Sequence, residues 1–240
     1  VFLLVFLFQG RNLGATTTTI SLVDEQGKKI ERQVPKSEFR KKLVVFPLDN
    51  ESGNSDLNWL SHALPDMLRY DLSQDIYLNI SSLYDISEDL RNDGYPDANA
   101  IPMTLKRKIA SERYMDYFTA GQILKNDGQP SVRISLHDTR TAKLVAENTF
   151  TGSDMFSLVD EISFWLKKNL EVPETHIANT TDLPVSEIMT ASMPALKSLY
   201  HGLDEYVLKD NREEGLRLIR EASETDTTFA YAYICLLYTS

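Results

Sequence analysis

From Leu43 to Leu48 the chain reads LVVFPL, a short apolar run flanked by charge, which predicts a buried strand. Leu57, Leu60, Leu64, Met67, Leu68 and Leu72 then recur at helical spacing, with Ser55 or Asp56 placed to cap that helix. Pro65 falls inside the pattern. It lacks an N–H and clashes with the preceding turn, so a kink or a fresh start is expected there. Ile76 to Ile80 reads as a second strand, and Tyr84 to Asp93 as a helix ended by Gly94. Thr104 to Met115 predicts a helix with Leu105, Ile109 and Ala110 on one face. Asp116 to Leu124 reads as a strand, and Asn126-Asp127-Gly128 is a tight-turn signal. Val132, Ile134 and Leu136 alternate with Arg133 and Ser135, the period of a half-buried strand. Thr139 to Ala142 turns the chain, and Leu144 to Phe150 returns. Asp154 is placed to cap a last helix that turns Phe156, Val159, Ile162, Leu166 and Leu170 inward.

The predicted order is β-α-β-α-α-β-β-β-α. Helices separate the early strands and tight turns separate the later ones, so the expected fold is α/β, a mixed sheet with packed helices. Before it, residues 9–41 read as a linker with its own marginal hairpin, Ile20 to Val23 and Ile30 to Val34 around Gln26-Gly27. After the α/β domain at 42–172 comes a second linker, 173–194, with Pro173 and Pro184. The segment 195–240 then reads as a helical pair, Ala195 to Lys209 and Asn211 to Thr225, with Phe229 to Tyr233 leading into a further helix.

Composition narrows the function. A formal net charge of −10 argues against a nucleic-acid surface, which needs clustered Lys and Arg. A single cysteine, Cys235, excludes an internal disulfide and a cysteine zinc cage. His62, His137, His176 and His201 stand apart, with no H-E-x-x-H, so no metal site is expected. No G-x-S-x-G, Walker loop or G-x-G-x-x-G occurs, so neither catalytic residues nor a cofactor is expected. Asp49, Glu51 and Asp56 do not fit an EF-hand loop, because Gly53 comes too early and the bidentate Glu is missing. Asp49, Asn50, Glu51, Ser52 and Asn54 remain the candidate ligand-binding residues. They lie where a strand runs into a helix, and helix amino-termini offer free N–H groups. Trp59 and Trp165 sit among apolar helix positions and read as packing residues.

The run VFPLDNESG followed by LNWL resembles the opening of the TolB amino-terminal-like domain. YFTAGQI, SLHDTRTAKLVAENTF and MFSLVDEISFWLKKNL extend the resemblance from Lys42 to about Val172. The helical pair resembles a tetratricopeptide (TPR) unit. Tyr206 falls on its aromatic position, Ala222 on its small position, and Phe229 in the lead-in to the next repeat. Gly215 stands where Ala is usual, Thr227 replaces a Pro, and the Leu-Gly pair is displaced to Gly202-Leu203. One repeat cannot bury its own face, so more are expected to follow.

Together these resemblances imply a non-enzymatic protein-interaction or sensory region of a bacterial membrane-anchored signalling protein. The alternative is a periplasmic scaffold that assembles an envelope complex. The expected partner is a protein or peptide. Val1 to Phe8, VFLLVFLF, is shorter than the ~20 residues of a membrane span and is expected to be the end of a truncated transmembrane helix. Rival readings are the tail of a signal peptide and a buried strand of another domain. The first implies an inner-membrane protein with the residues after Gln9 in the periplasm. At the other end, Cys235 to Ser240 reads CLLYTS. The codons TGT CTC TTA TAC ACA TCT encode that peptide and resemble a transposon end used in sequencing libraries. The native chain is therefore expected to differ after Ile234.

Overall fold

A computed structural model of the chain describes residues 16–23, 27–126 and 129–239. Val1 to Phe8 lies outside the described residues. Among those described, no helix is long and apolar enough to cross a membrane. Strands β1 (Thr17–Val23) and β2 (Lys29–Pro35) form a separate antiparallel hairpin.

The main sheet has six strands: β3 (Lys41–Val45), β4 (Asp49–Asn50), β5 (Leu78–Ser81), β6 (Tyr117–Asn126), β7 (Gln129–Asp138) and β8 (Leu144–Thr151). Their order is β5-β3-β6-β7-β8, and β4 also pairs with β6. Strand β3 is parallel to β5 and β6, while β6, β7 and β8 form an antiparallel meander. The α/β class with a mixed sheet and packed helices is therefore the observed architecture. The register Asn126 opposite Gln129 leaves a two-residue link at 127–128, where the turn signal fell; those two residues are outside the description.

Four helices sandwich this sheet. On one face lie α1 (Leu60–Leu72) and α4 (Met155–Asn169), on the other α2 (Leu83–Asn92) and α3 (Met103–Glu112). Strand alternation sorts the two cores. Val132, Ile134 and Leu136 are fully buried against α1 and α4, while Val44, Phe46 and Phe118 pack beneath α2 and α3. Asp154 caps α4 as expected, accepting from the N–H groups of Phe156 and Ser157. Ser82 and Asp85 form a reciprocal capping box on α2. Gly94, at φ +88°, closes that helix while the Tyr95 N–H reaches back to Leu90 O.

Two local expectations are corrected. Pro65 does not restart α1, which runs unbroken from Leu60 to Leu72. A proline here leaves the Ser61 carbonyl without its helical donor, and the N–H of Leu48 takes that carbonyl at 3.0 Å. The cap is also elsewhere. Asn54, not Ser55 or Asp56, accepts from the Asp56 N–H and opens a 3-10 turn, Ser55–Leu57, ahead of α1.

The segment 173–194 carries two short helices, α5 (Glu174–Asn179) and α6 (Val185–Ile188), with Val185 and Met189 buried. Helix α7 (Met193–Leu203) runs into a π-helical turn, Asp204–Leu208. Helices α8 (Arg212–Thr225) and α9 (Ala230–Thr239) follow. Leu196, Leu199, Ile219 and Phe229 join the same apolar cluster as α1 and α4.

Candidate functional site

The loop from Asp49 to Asn54 leaves the sheet after β4 pairs with β6. Its polar groups bond to one another. Asn50 Nδ2 donates to Asn54 O at 2.9 Å and to Asn58 Oδ1 at 2.6 Å, and Asn50 Oδ1 accepts from the Ser52 N–H and hydroxyl. The Ser52 hydroxyl oxygen accepts from the Asn54 N–H, and Glu51 Oε1 accepts from Gln122 Nε2 at 2.8 Å. Asn50, Glu51, Ser52 and Asn54 are thus engaged in holding the loop. Asp49 is set apart from this network and faces a neighbouring cleft.

That cleft, of about 370 Å³, lies between the start of α3 and the face of β6, β7 and β8 that α2 and α3 leave uncovered. Lys106 of α3, Arg133 and His137 of β7, Asp49, and Glu147 at the exposed rim carry its ionisable groups. Arg133 donates through its guanidinium to Gln122 Oε1. The Ser135 hydroxyl donates to Ala120 O at 3.0 Å and so accepts from His137 Nε2–H at 2.9 Å. The imidazole stacks on Phe118, with ring centroids 5.1 Å apart, and burial pushes its pKa below the usual histidine range. Lys106 is only 2% exposed. Burial lowers its pKa and Asp49 partly opposes that shift. Sequence reasoning missed Lys106, although it sits three and four residues before Ile109 and Ala110, on their face of the helix.

A larger cleft of about 580 Å³ opens at the opposite end of β3 and β6, lined by Arg40, Lys41, Arg107, Asp116, Asp138 and Arg140 among others. Opposite charges interleave there. Arg107 is committed to the carbonyls of Thr139 and Arg140.

Where α7 meets the α/β body, a buried polar cluster forms the joint. Asp66 of α1 is fully buried and accepts from Arg69 Nε at 2.8 Å, the Ser82 hydroxyl at 2.7 Å and the Tyr200 hydroxyl at 3.1 Å. Beside it, His62 Nδ1 donates to Asp204 Oδ2 at 2.9 Å and the Tyr84 hydroxyl donates to Asp204 Oδ1 at 3.0 Å. Burial, with the Asp204 and Asp66 carboxylates adding to it, holds the Tyr84 hydroxyl well above its ordinary pKa.

Helices α7 and α8 touch backbone to backbone. A Cβ built on Gly202 would meet Gly215 O at 2.9 Å, and one on Gly215 would meet the Tyr206 N at 2.9 Å. The glycine at position 215 therefore has a packing cause. Ala222 and Phe229 are fully buried, and Tyr206 is half-buried with the Arg212 guanidinium 6.0 Å from its ring centre. Among the described residues no group of three or more His, Cys, Asp or Glu is placed to hold a metal.

No protein-family model matches the chain, and no curated protein matches it. Solved structures give distant likenesses. The LpoB C-terminal domain from Escherichia coli is 16% identical at a TM-score of 0.41, over 48% of this chain and 83% of that one. The PelC dodecamer from Paraburkholderia phytofirmans is 16% identical at 0.38, over 66% and 99%. TolB from Acinetobacter baumannii is 14% identical at 0.36, over 65% of this chain and 31% of that one.

Proposed function

We propose that the chain is a non-enzymatic protein-interaction region acting as a scaffold in the bacterial cell envelope, on the periplasmic side. Its helical hairpin is the partner-facing part. One observation supports this most directly: α7 and α8 form a stacked pair in backbone contact at Gly202 and Gly215, fastened to α1 through Tyr200 and Asp66. Stacked helix pairs of this kind, the TPR among them, present extended surfaces to other proteins. The outward side of α8 carries Glu213, Leu216, Arg217 and Arg220 beside a shallow groove of about 510 Å³. Of the two roles implied by the sequence resemblance, a scaffold needs nothing beyond a rigid platform. Signalling needs a part that moves, and the buried joint at Asp66 works against movement there.

Photo-crosslinking residues placed at Leu216 and Arg220 of the full chain, expressed in its native host, test the proposal. Discrete protein adducts are expected from these sites and none from a control at Glu88 on α2. Adducts from all three sites alike, or from none, would overturn it. So would turnover by the purified chain that a single pocket substitution abolishes.

A further inference from the structure

The cleft beneath α3 has a feature that interaction through the helical hairpin does not use. Its floor holds a lysine, Lys106, that no hydrogen bond or ion pair reaches among the described residues, with the Asp49 carboxylate the opposite charge acting on it. The residue is nine-tenths and more buried and lines the cleft. Removing an ammonium group from water costs several kcal/mol unless hydrogen bonds or a counter-charge replace the lost hydration. Several other polar groups of the cleft are committed, although His137 Nδ1 is buried without a partner. Arg133 is spent on Gln122, His137 on Ser135, and Ser135 on Ala120. The three N–H donors of Lys106 carry no hydrogen bond among the described residues.

We propose that this cleft is a binding site for a small organic monocarboxylate, whose carboxylate is held by the Lys106 ammonium group. The charge of the ligand follows from the walls. Asp49 and Glu147 also line the cleft and would repel a dianion such as phosphate more strongly than a single negative charge seated on Lys106. The body of the ligand follows from the apolar lining. Ile101 and the half-exposed Met103 lie at the same end of α3 as Lys106 and give an aliphatic chain a surface to cover. The volume, about 370 Å³, falls in the roughly 300–1,000 Å³ range of small-molecule sites. The low solvent exposure of Lys106 is also what would make the charge-assisted bond strong once a carboxylate is present.

Amide NMR spectra of the full chain, titrated separately with sodium butyrate, butyramide and inorganic phosphate, test this. Butyrate is expected to give saturable shifts at Lys106, Ser135 and His137 in the millimolar range, butyramide none, and phosphate weaker shifts than butyrate. Lys106→Met should weaken butyrate binding at least about tenfold. Unchanged shifts at the remote Leu199 would show that the variant is folded. In the unmodified protein, butyrate should also slow acylation of Lys106 by acetic anhydride, read by mass spectrometry. The absence of saturable butyrate shifts, equal or tighter binding of phosphate, or full retention of binding by Lys106→Met would each overturn the proposal. Failure here leaves the hairpin reading standing, because the crosslinking sites on α8 lie outside this cleft.

Discussion

Asp66 and Lys106 are both withdrawn from water, and the molecule treats them in opposite ways. Three donors from three segments converge on Asp66: Arg69 on its own helix, Ser82 at the start of α2, and Tyr200 from α7. Among the described residues no hydrogen bond reaches Lys106, and only the Asp49 charge acts against its burial. A buried charge whose bonding capacity is filled from inside the protein serves as a joint, since each partner is fixed by it. A buried charge whose hydrogen-bonding capacity is left unfilled carries a cost that an external group can offset. The first arrangement belongs to architecture and the second to binding.

The largest effect should come from breaking the filled cluster. Asp66→Ala leaves Arg69 and two hydroxyls without their acceptor, and removing one partner of a buried charged cluster costs roughly 3–5 kcal/mol. Urea unfolding should show that loss. Its absence would mean that the joint at α7 contributes little.

Asp71 sits between the two extremes. It accepts from Gln74 on one oxygen while the other is buried without a partner. Burial pushes its pKa up from 3.8 to about 6, with Asp182 adding to the rise. The folded state then binds more protons than the unfolded state between those values, so stability must fall as pH rises through that window. The loss should be on the order of 2–3 kcal/mol, at about 1.4 kcal/mol per pKa unit. Asp71→Asn should flatten the profile and raise stability at neutral pH. An unchanged pH profile in that variant would rule out this origin.

Gly215→Ala forces a methyl group against the backbone of Tyr206 and Gly202. Overpacking of this kind costs roughly 1–3 kcal/mol. Because the contact is confined to α7 and α8, amide exchange should speed up in those helices and not in β7.

Lys106→Met should have the smallest effect and the opposite sign. A side chain of similar length without the ammonium group removes the desolvation cost, so the melting temperature should stay level or rise. A marked fall would show that Lys106 has a structural partner and would erase the contrast with Asp66.

Five strands of the sheet were legible in the sequence because each obeys a local rule, whereas β4, two polar residues with no periodicity, was read as loop. The alternation at Val132, Ile134 and Leu136 and the Asp154 cap both depend on neighbours in the chain. The candidate site was legible only in part. Asn50, Glu51, Ser52 and Asn54 look like ligand groups by type, yet they pair with Asn58, Gln122 and each other, which spacing alone does not reveal. Asp49 was the exception and does face a cleft. Lys106 drew no attention because lysine is usually solvated, although its place three residues before Ile109 puts it on the buried face. The joint at Asp66 is built from residues 16 and 134 positions away in sequence, beyond the reach of any periodicity.

The bond from Leu48 to the Ser61 carbonyl has a consequence for how α1 and the strand segment beside it depend on each other. Helix α1 cannot satisfy that carbonyl from within, so as an isolated peptide it lacks a bond that the neighbouring strand segment supplies. The helix gains its full complement only when the link after β3 docks beside it. In the folded protein the helix and the link after β3 are thereby coupled through one main-chain bond, a bond that water would have to supply to the helix alone.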